Sequence, residues 1–107
     1  MAGKDERRRL PRLKTRLSAK VVHGETVLDC VIKDKNILGA RLLLGEGAAV
    51  PGVFHLLQLK SGELYEAKLV WTSYPECGVA FTSTTELSKE TSPEFARFKK
   101  LWVGVGG

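Results

Sequence analysis

Long apolar runs are missing from this 107-residue sequence. Its longest uncharged stretch, Gly47 to Leu59, contains Pro51, Gly52, His55 and Gln58 and is too short to cross a bilayer. The start, Met1-Ala2-Gly3-Lys4-Asp5, lacks the apolar centre of a secretory signal. The expectation is a soluble, cytoplasmic protein with no membrane insertion. Cysteine is scarce: Cys30 and Cys77 form no Cys-x-x-Cys pair and have no histidine at zinc-ligand spacing. Two reduced thiols packed as small hydrophobes are expected, with a disulfide between them left open. His23 and His55 are the only histidines and stand far apart. Gly45-Glu46-Gly47 lacks the further glycine and lysine of a phosphate loop. No nucleophile, base or metal ligands converge in the sequence, so it reads as a binding protein, not an enzyme, with no metal and no cofactor.

What is present describes one ordinary domain. Hydrophobic residues at 43% and charged residues at 27% suit a globular chain able to bury a core without staples. The net charge of +5 is unevenly spread. Lys4, Arg7, Arg8, Arg9, Arg12, Lys14, Arg16 and Lys20 face only Asp5 and Glu6 in the first twenty residues, so the body is nearly neutral. Such an arm repels itself and seeks an anionic partner. A solubilising terminus would have the same composition.

After the arm the pattern has a period of two. Arg16 to Val22 reads as a first strand, and His23-Gly24-Glu25 as a hairpin turn. From Thr26 to Lys33, Leu28, Cys30 and Ile32 share one face, opposite Val27, Asp29, Val31 and Lys33. Asp34-Lys35-Asn36-Ile37-Leu38-Gly39 reads as a turn or bulge, since Asx residues and glycine tolerate positive φ. Further strands follow at Ala40 to Leu44, Val53 to Leu59, Leu64 to Thr72 and Glu76 to Thr82. In the fifth, Tyr65, Ala67, Leu69 and Trp71 fall on one face, which makes Trp71 a candidate core residue. About six short strands without helical crossovers point to a mostly antiparallel all-β barrel or sandwich.

The period changes near the end. Ser92-Pro93-Glu94 looks like an N-cap, a first-turn proline and an acid. Phe95, Phe98 and Trp102 follow at helical spacing, with Lys99 and Lys100 towards the end and Gly104 as a stop. This short amphipathic helix needs cover, and the barrel is the expected cover. The expected division is a flexible basic arm over residues 1–15, a barrel over 16–86 and a helix over 92–103.

Chemistry concentrates in the arm. Arg7-Arg8-Arg9-Leu10-Pro11-Arg12 places four guanidiniums just before the first strand. Guanidinium forks match phosphate oxygens and the O6/N7 edge of guanine, and their planes stack on purines. A compact anionic guanine nucleotide would suit this set, as would nucleic acid or an acidic protein surface.

At this point the sequence resembles the PilZ domains, which bind cyclic di-GMP. Their signature is Arg-x-x-x-Arg before the first strand and Asp/Asn-x-Ser-x-x-Gly after the second. Here Arg8-Arg9-Leu10-Pro11-Arg12 matches the first element, and Asp34-Lys35-Asn36-Ile37-Leu38-Gly39 the second, with Asn36 where the family has serine. Ala67 to Trp71 and Gly78 to Phe81 look like the family's closing strands, and the resemblance spans about Glu6 to Phe81.

The resemblance implies a six-stranded, mostly antiparallel β-barrel that receives cyclic di-GMP and signals to a partner protein. Arg8 and Arg12 would hold phosphates and guanine edges, with Arg7 or Arg9 stacked beside a base. Asp34 would accept from the guanine N1/N2 edge, and Asn36 would contact the ligand or hold Asp34 in place. Gly39 would permit the turn and a close backbone approach. Trp71 could pack on a base. Taken alone, Asp34 and Asn36 also fit a plain Asx turn. Two other functions stay open: a ligand-independent adaptor working through the arm or the aromatic helix, and a small nucleic-acid-binding barrel. The neutral body and the absence of strand aromatics interleaved with basic residues stand against nucleic acid.

Overall fold

The computed structural model describes residues 13–104. Among them, six strands run in chain order: β1 (Leu13–His23), β2 (Thr26–Asn36), β3 (Gly39–Leu44), β4 (Val53–Gln58), β5 (Glu63–Ser73) and β6 (Glu76–Glu86). All neighbours pair antiparallel in the order β1-β2-β3-β6-β5-β4, and β1 pairing with β4 closes the barrel. β1 and β4 join over Ala19–Val22 and His55–Gln58, so neither is the free edge of an open sheet along that stretch. The expected antiparallel all-β barrel is the observed fold.

Alternation explains the core. Ala19 and Val21 of β1, Ile32 of β2, Leu42 of β3, Leu56 of β4 and Ala67 of β5 point inward and are at most 2% exposed. Cys30 and Cys77 belong to the same core as free thiols, so the two cysteines are not bridged.

A second core lies on the outside of the barrel. Val22, Leu57 and Leu64 sit one residue out of phase with the inward set, yet they are buried. They pack with Leu87 beneath Phe98, and Phe95, Leu101 and Trp102 seal the edges. In the run Phe54-His55-Leu56-Leu57, Phe54 and Leu56 fill the barrel while Leu57 is buried on the outer face under the helix. The covering element is helix α1 (Ala96–Gly104), entered through a 3₁₀ turn at Pro93–Phe95. Nine residues are too few for a helix to persist alone, so packing holds it. Ser92 gives no side-chain cap, and the main-chain N–H of Phe95 bonds the Ser92 carbonyl at 3.1 Å. Lys99 bonds the Glu90 carbonyl, and Arg97 reaches the Gly24 carbonyl on the β1–β2 turn.

The segment Asp34–Gly39, expected as a turn or bulge, holds a turn shorter than its six residues and without the expected positive φ. Asp34, Lys35 and Asn36 are strand residues, and only Ile37 and Leu38 connect β2 to β3. Neither Asn36 nor Gly39 has positive φ. The Asn36 side-chain oxygen instead accepts from the N–H groups of Leu38 at 2.8 Å and Gly39 at 3.1 Å, which closes the turn. Gly39 is required by space: a Cβ there would lie 2.1 Å from the Val79 carbonyl oxygen.

Candidate ligand-binding site

Register slips on β1, between Lys14 and Leu17, on β2 and on β5 decide what faces outward. Between Ile32 and Asp34 the β2–β3 register slips, so Ile32 pairs with inward Leu42 while Asp34 pairs with Arg41. Between Leu69 and Trp71 the β5–β6 register slips in the same way, and Trp71 pairs with Gly78. One extra residue reverses the face of everything beyond it. Trp71 is therefore 40% exposed, and the expectation that it lines the core face is corrected.

The corrected register aligns a rung across five strands. Lys14 pairs with Asp34, Asp34 with Arg41, Arg41 with Gly78 and Gly78 with Trp71. Gly78 makes room for the indole, since a Cβ there would come within 2.1 Å of Trp71 Nε1. The ring thus lies on bare backbone with part of its surface open to solvent. A flat aromatic face of this kind suits base stacking.

Asp34 supplies the negative charge of the rung. It is only 5% exposed, and a carboxylate that deep needs strong donors. Arg41 Nε donates to Asp34 Oδ2 at 2.9 Å, and Arg41 Nη1 donates to Glu76 Oε1 at 3.2 Å. Lys33 Nζ, on the bulge, donates to the other Glu76 oxygen at 3.1 Å. The Arg41 guanidinium is held above its ordinary value, first by the hydrogen bond to Asp34 and then by that carboxylate's charge. The hydrogen bond from Lys33 chiefly holds Glu76 below the usual carboxylate range; burial opposes this, and Arg41 adds to it. The result is a fixed, charge-paired rung with a nearly buried carboxylate on β2 and a partly exposed indole on β5.

Of the residues singled out in the sequence, Asp34, Asn36 and Gly39 lie on one hairpin, and Trp71 joins Asp34 through the rung. Arg7, Arg8, Arg9 and Arg12 lie outside the described residues. The chain enters β1 at Leu13 opposite Lys35 and continues with Lys14 opposite Asp34. Arg41 escaped the sequence reading. Counting outward from the two-residue turn pairs 36 with 39, 35 with 40 and 34 with 41, so a shorter turn assignment would have found it.

Among the described residues, the chain is a closed six-stranded antiparallel barrel with one α-helix packed on its outer wall. It has the PilZ fold. It is similar to a crystal structure of the PilZ domain of CeSA from a cellulose-synthesizing bacterium, with a TM-score of 0.56 at 17% identity. The match covers 91% of this chain and 99% of that one. No profile of a known family matches the sequence. No curated protein sequence matches it either.

Proposed function

We propose that this chain is a cyclic di-GMP receptor domain, whose arginine arm and outward rung close together on the ligand. The observation that carries the reading is the register at the start of β1. Lys14, two positions after Arg12 in the sequence, pairs with Asp34, and Trp71 is on the same rung. Asp34 accepts from a guanine N1/N2 edge, the Trp71 face stacks on a base, and Arg8 and Arg12 bind phosphates and guanine O6/N7. Asn36 acts by holding the turn, which fixes the strand on which Asp34 sits.

Ligand binding orders the arm against the barrel, and the ordered arm with its ligand forms a surface for a protein partner. Ordering offsets part of the contact energy, so the affinity is on the order of micromolar, about −8 kcal/mol. The domain binds and signals without catalysing a reaction.

A calorimetric titration with cyclic di-GMP tests this. Wild-type protein is expected to give saturable heat that weakens with added salt. Arg8→Ala and Arg12→Ala are each expected to lose it while melting at the wild-type temperature. Unchanged binding in either variant sinks the arm's assigned role. A folded wild-type protein that gives no heat sinks the ligand itself and turns attention to protein contacts of the arm and α1.

A further inference from the structure

Lys35 stands between Asp34 and Asn36, yet its side chain faces the barrel interior, not the rung. It pairs with inward Ala40, and its ammonium runs across to the start of β5. There Lys35 Nζ donates to Gln58 Oε1 at 2.6 Å, to the Tyr65 hydroxyl at 3.0 Å and to Glu63 Oε1 at 3.4 Å. Tyr65 in turn donates to Glu63 Oε1 at 2.8 Å, and Ser61 Oγ donates to the same oxygen at 3.3 Å. Burial would raise the Glu63 carboxyl, but the bonds and charge from Tyr65 and Lys35 outweigh it and hold it below its usual range. Taking this ammonium partly out of water costs free energy that its three partners on the other hairpin offset, so these bonds tie the two hairpins together.

Both ends of this tie are informative. At one end is the turn bearing Asp34 and Asn36. A second link returns there, because Tyr65 stacks on Phe81 at 4.1 Å and the Phe81 N–H bonds the Leu38 carbonyl at 2.8 Å. At the other end, Glu63 follows Gly62, against which the Trp102 ring of α1 lies. Trp102 Nε1 donates to the Leu59 carbonyl at 2.9 Å on the same turn.

We propose that Lys35 is a positioning residue that couples the Asp34 hairpin to the Ser61–Glu63 turn beneath Trp102, so that ligand at the rung is felt at α1. The coupling to ligand rests on the cyclic di-GMP reading; the tie itself does not. The helix then becomes the element through which an occupied site is reported to a partner.

The test follows the Trp102 indole N–H resonance during a cyclic di-GMP titration, with Trp71→Phe used only to assign the two indole signals. Saturating ligand is expected to move the Trp102 signal in the wild type. Lys35→Met is expected to bind about tenfold more weakly and to leave that signal still at saturation. Lys35→Arg is expected to restore the movement. Heat without movement in the wild type, or equal movement in Lys35→Met, overturns the coupling. If the wild type gives no heat, the ligand reading has failed, and the tie is decided without ligand by Glu63→Gln. Faster amide exchange at Leu38 and Gly39 in that variant supports the tie, and unchanged rates refute it.

Discussion

Trp71 and Trp102 each lie on a glycine, and the two pairs do different things. Trp102 is the more covered: its ring lies over Gly62, its Nε1 bonds the Leu59 carbonyl, and it packs against the edge of the second core. Gly62 is needed there twice over, since its φ is +75° and a Cβ would sit 2.5 Å from the ring. Trp71 covers Gly78 inside a strand of ordinary φ, with 40% of its surface open. The first pair closes the molecule. The second clears a platform on its outside. The same residue combination thus marks a structural seam in one place and a candidate binding face in the other, and burial of the indole separates them.

The largest effect is expected on the closed side. Phe98, the buried centre of α1, loses about 3 kcal/mol or more of stability as Phe98→Ala, read from urea unfolding. A loss below about 1 kcal/mol would mean that the helix is dispensable to the barrel. Next comes the contrast between the glycines. Gly62→Ala is expected to cost about 2–3 kcal/mol, from left-handed strain and a displaced ring. Gly78→Ala is expected to cost about 1 kcal/mol, since only a half-exposed indole must swing aside, while cyclic di-GMP affinity falls about tenfold. Equal stability losses would erase the distinction between seam and platform.

The smallest effect concerns acid. Glu63 and Glu76 both titrate below their ordinary value of 4.5 in the folded chain. Their stabilisation is complete above the unfolded value and fades as pH falls through the lower folded values. A melting series from about pH 6 to about pH 3 is expected to show Glu63→Gln and Glu76→Gln each with a shallower acid decline than wild type. A decline as steep as wild type in both variants would assign acid sensitivity to other carboxylates.

The strands were legible because alternation and turn residues are local signals, and six were countable from the sequence. Facing was legible only up to each bulge. Asp34 and Trp71 both lie just beyond one, and a single inserted residue carries no mark in the hydrophobic pattern. Lys35 looked like a turn residue because lysine between Asp and Asn suits a loop. Its inward aim appears only once Gln58, Glu63 and Tyr65 are seen across the barrel. Half of the second core was legible, in the helical stripe Phe95, Phe98 and Trp102 that needed cover; the barrel residues beneath it, Val22, Leu57 and Leu64, were not. The arginine run was the plainest signal in the chain, and it lies outside the described residues.

The two unbridged cysteines make the barrel a chemical clock for its own opening. Burial pushes Cys30 up to about 12, with Cys77 and Asp29 adding to it, and pushes Cys77 up to about 11. At neutral pH neither offers much thiolate, and thiolate is the species a maleimide or disulfide reagent attacks. Labelling of the native chain therefore waits for the wall to part, so its rate measures how often the closed sheet breathes. A cysteine introduced on the rung or on α1 would react long before either, and the protein can carry a dye at a chosen place with both natural thiols left as they are.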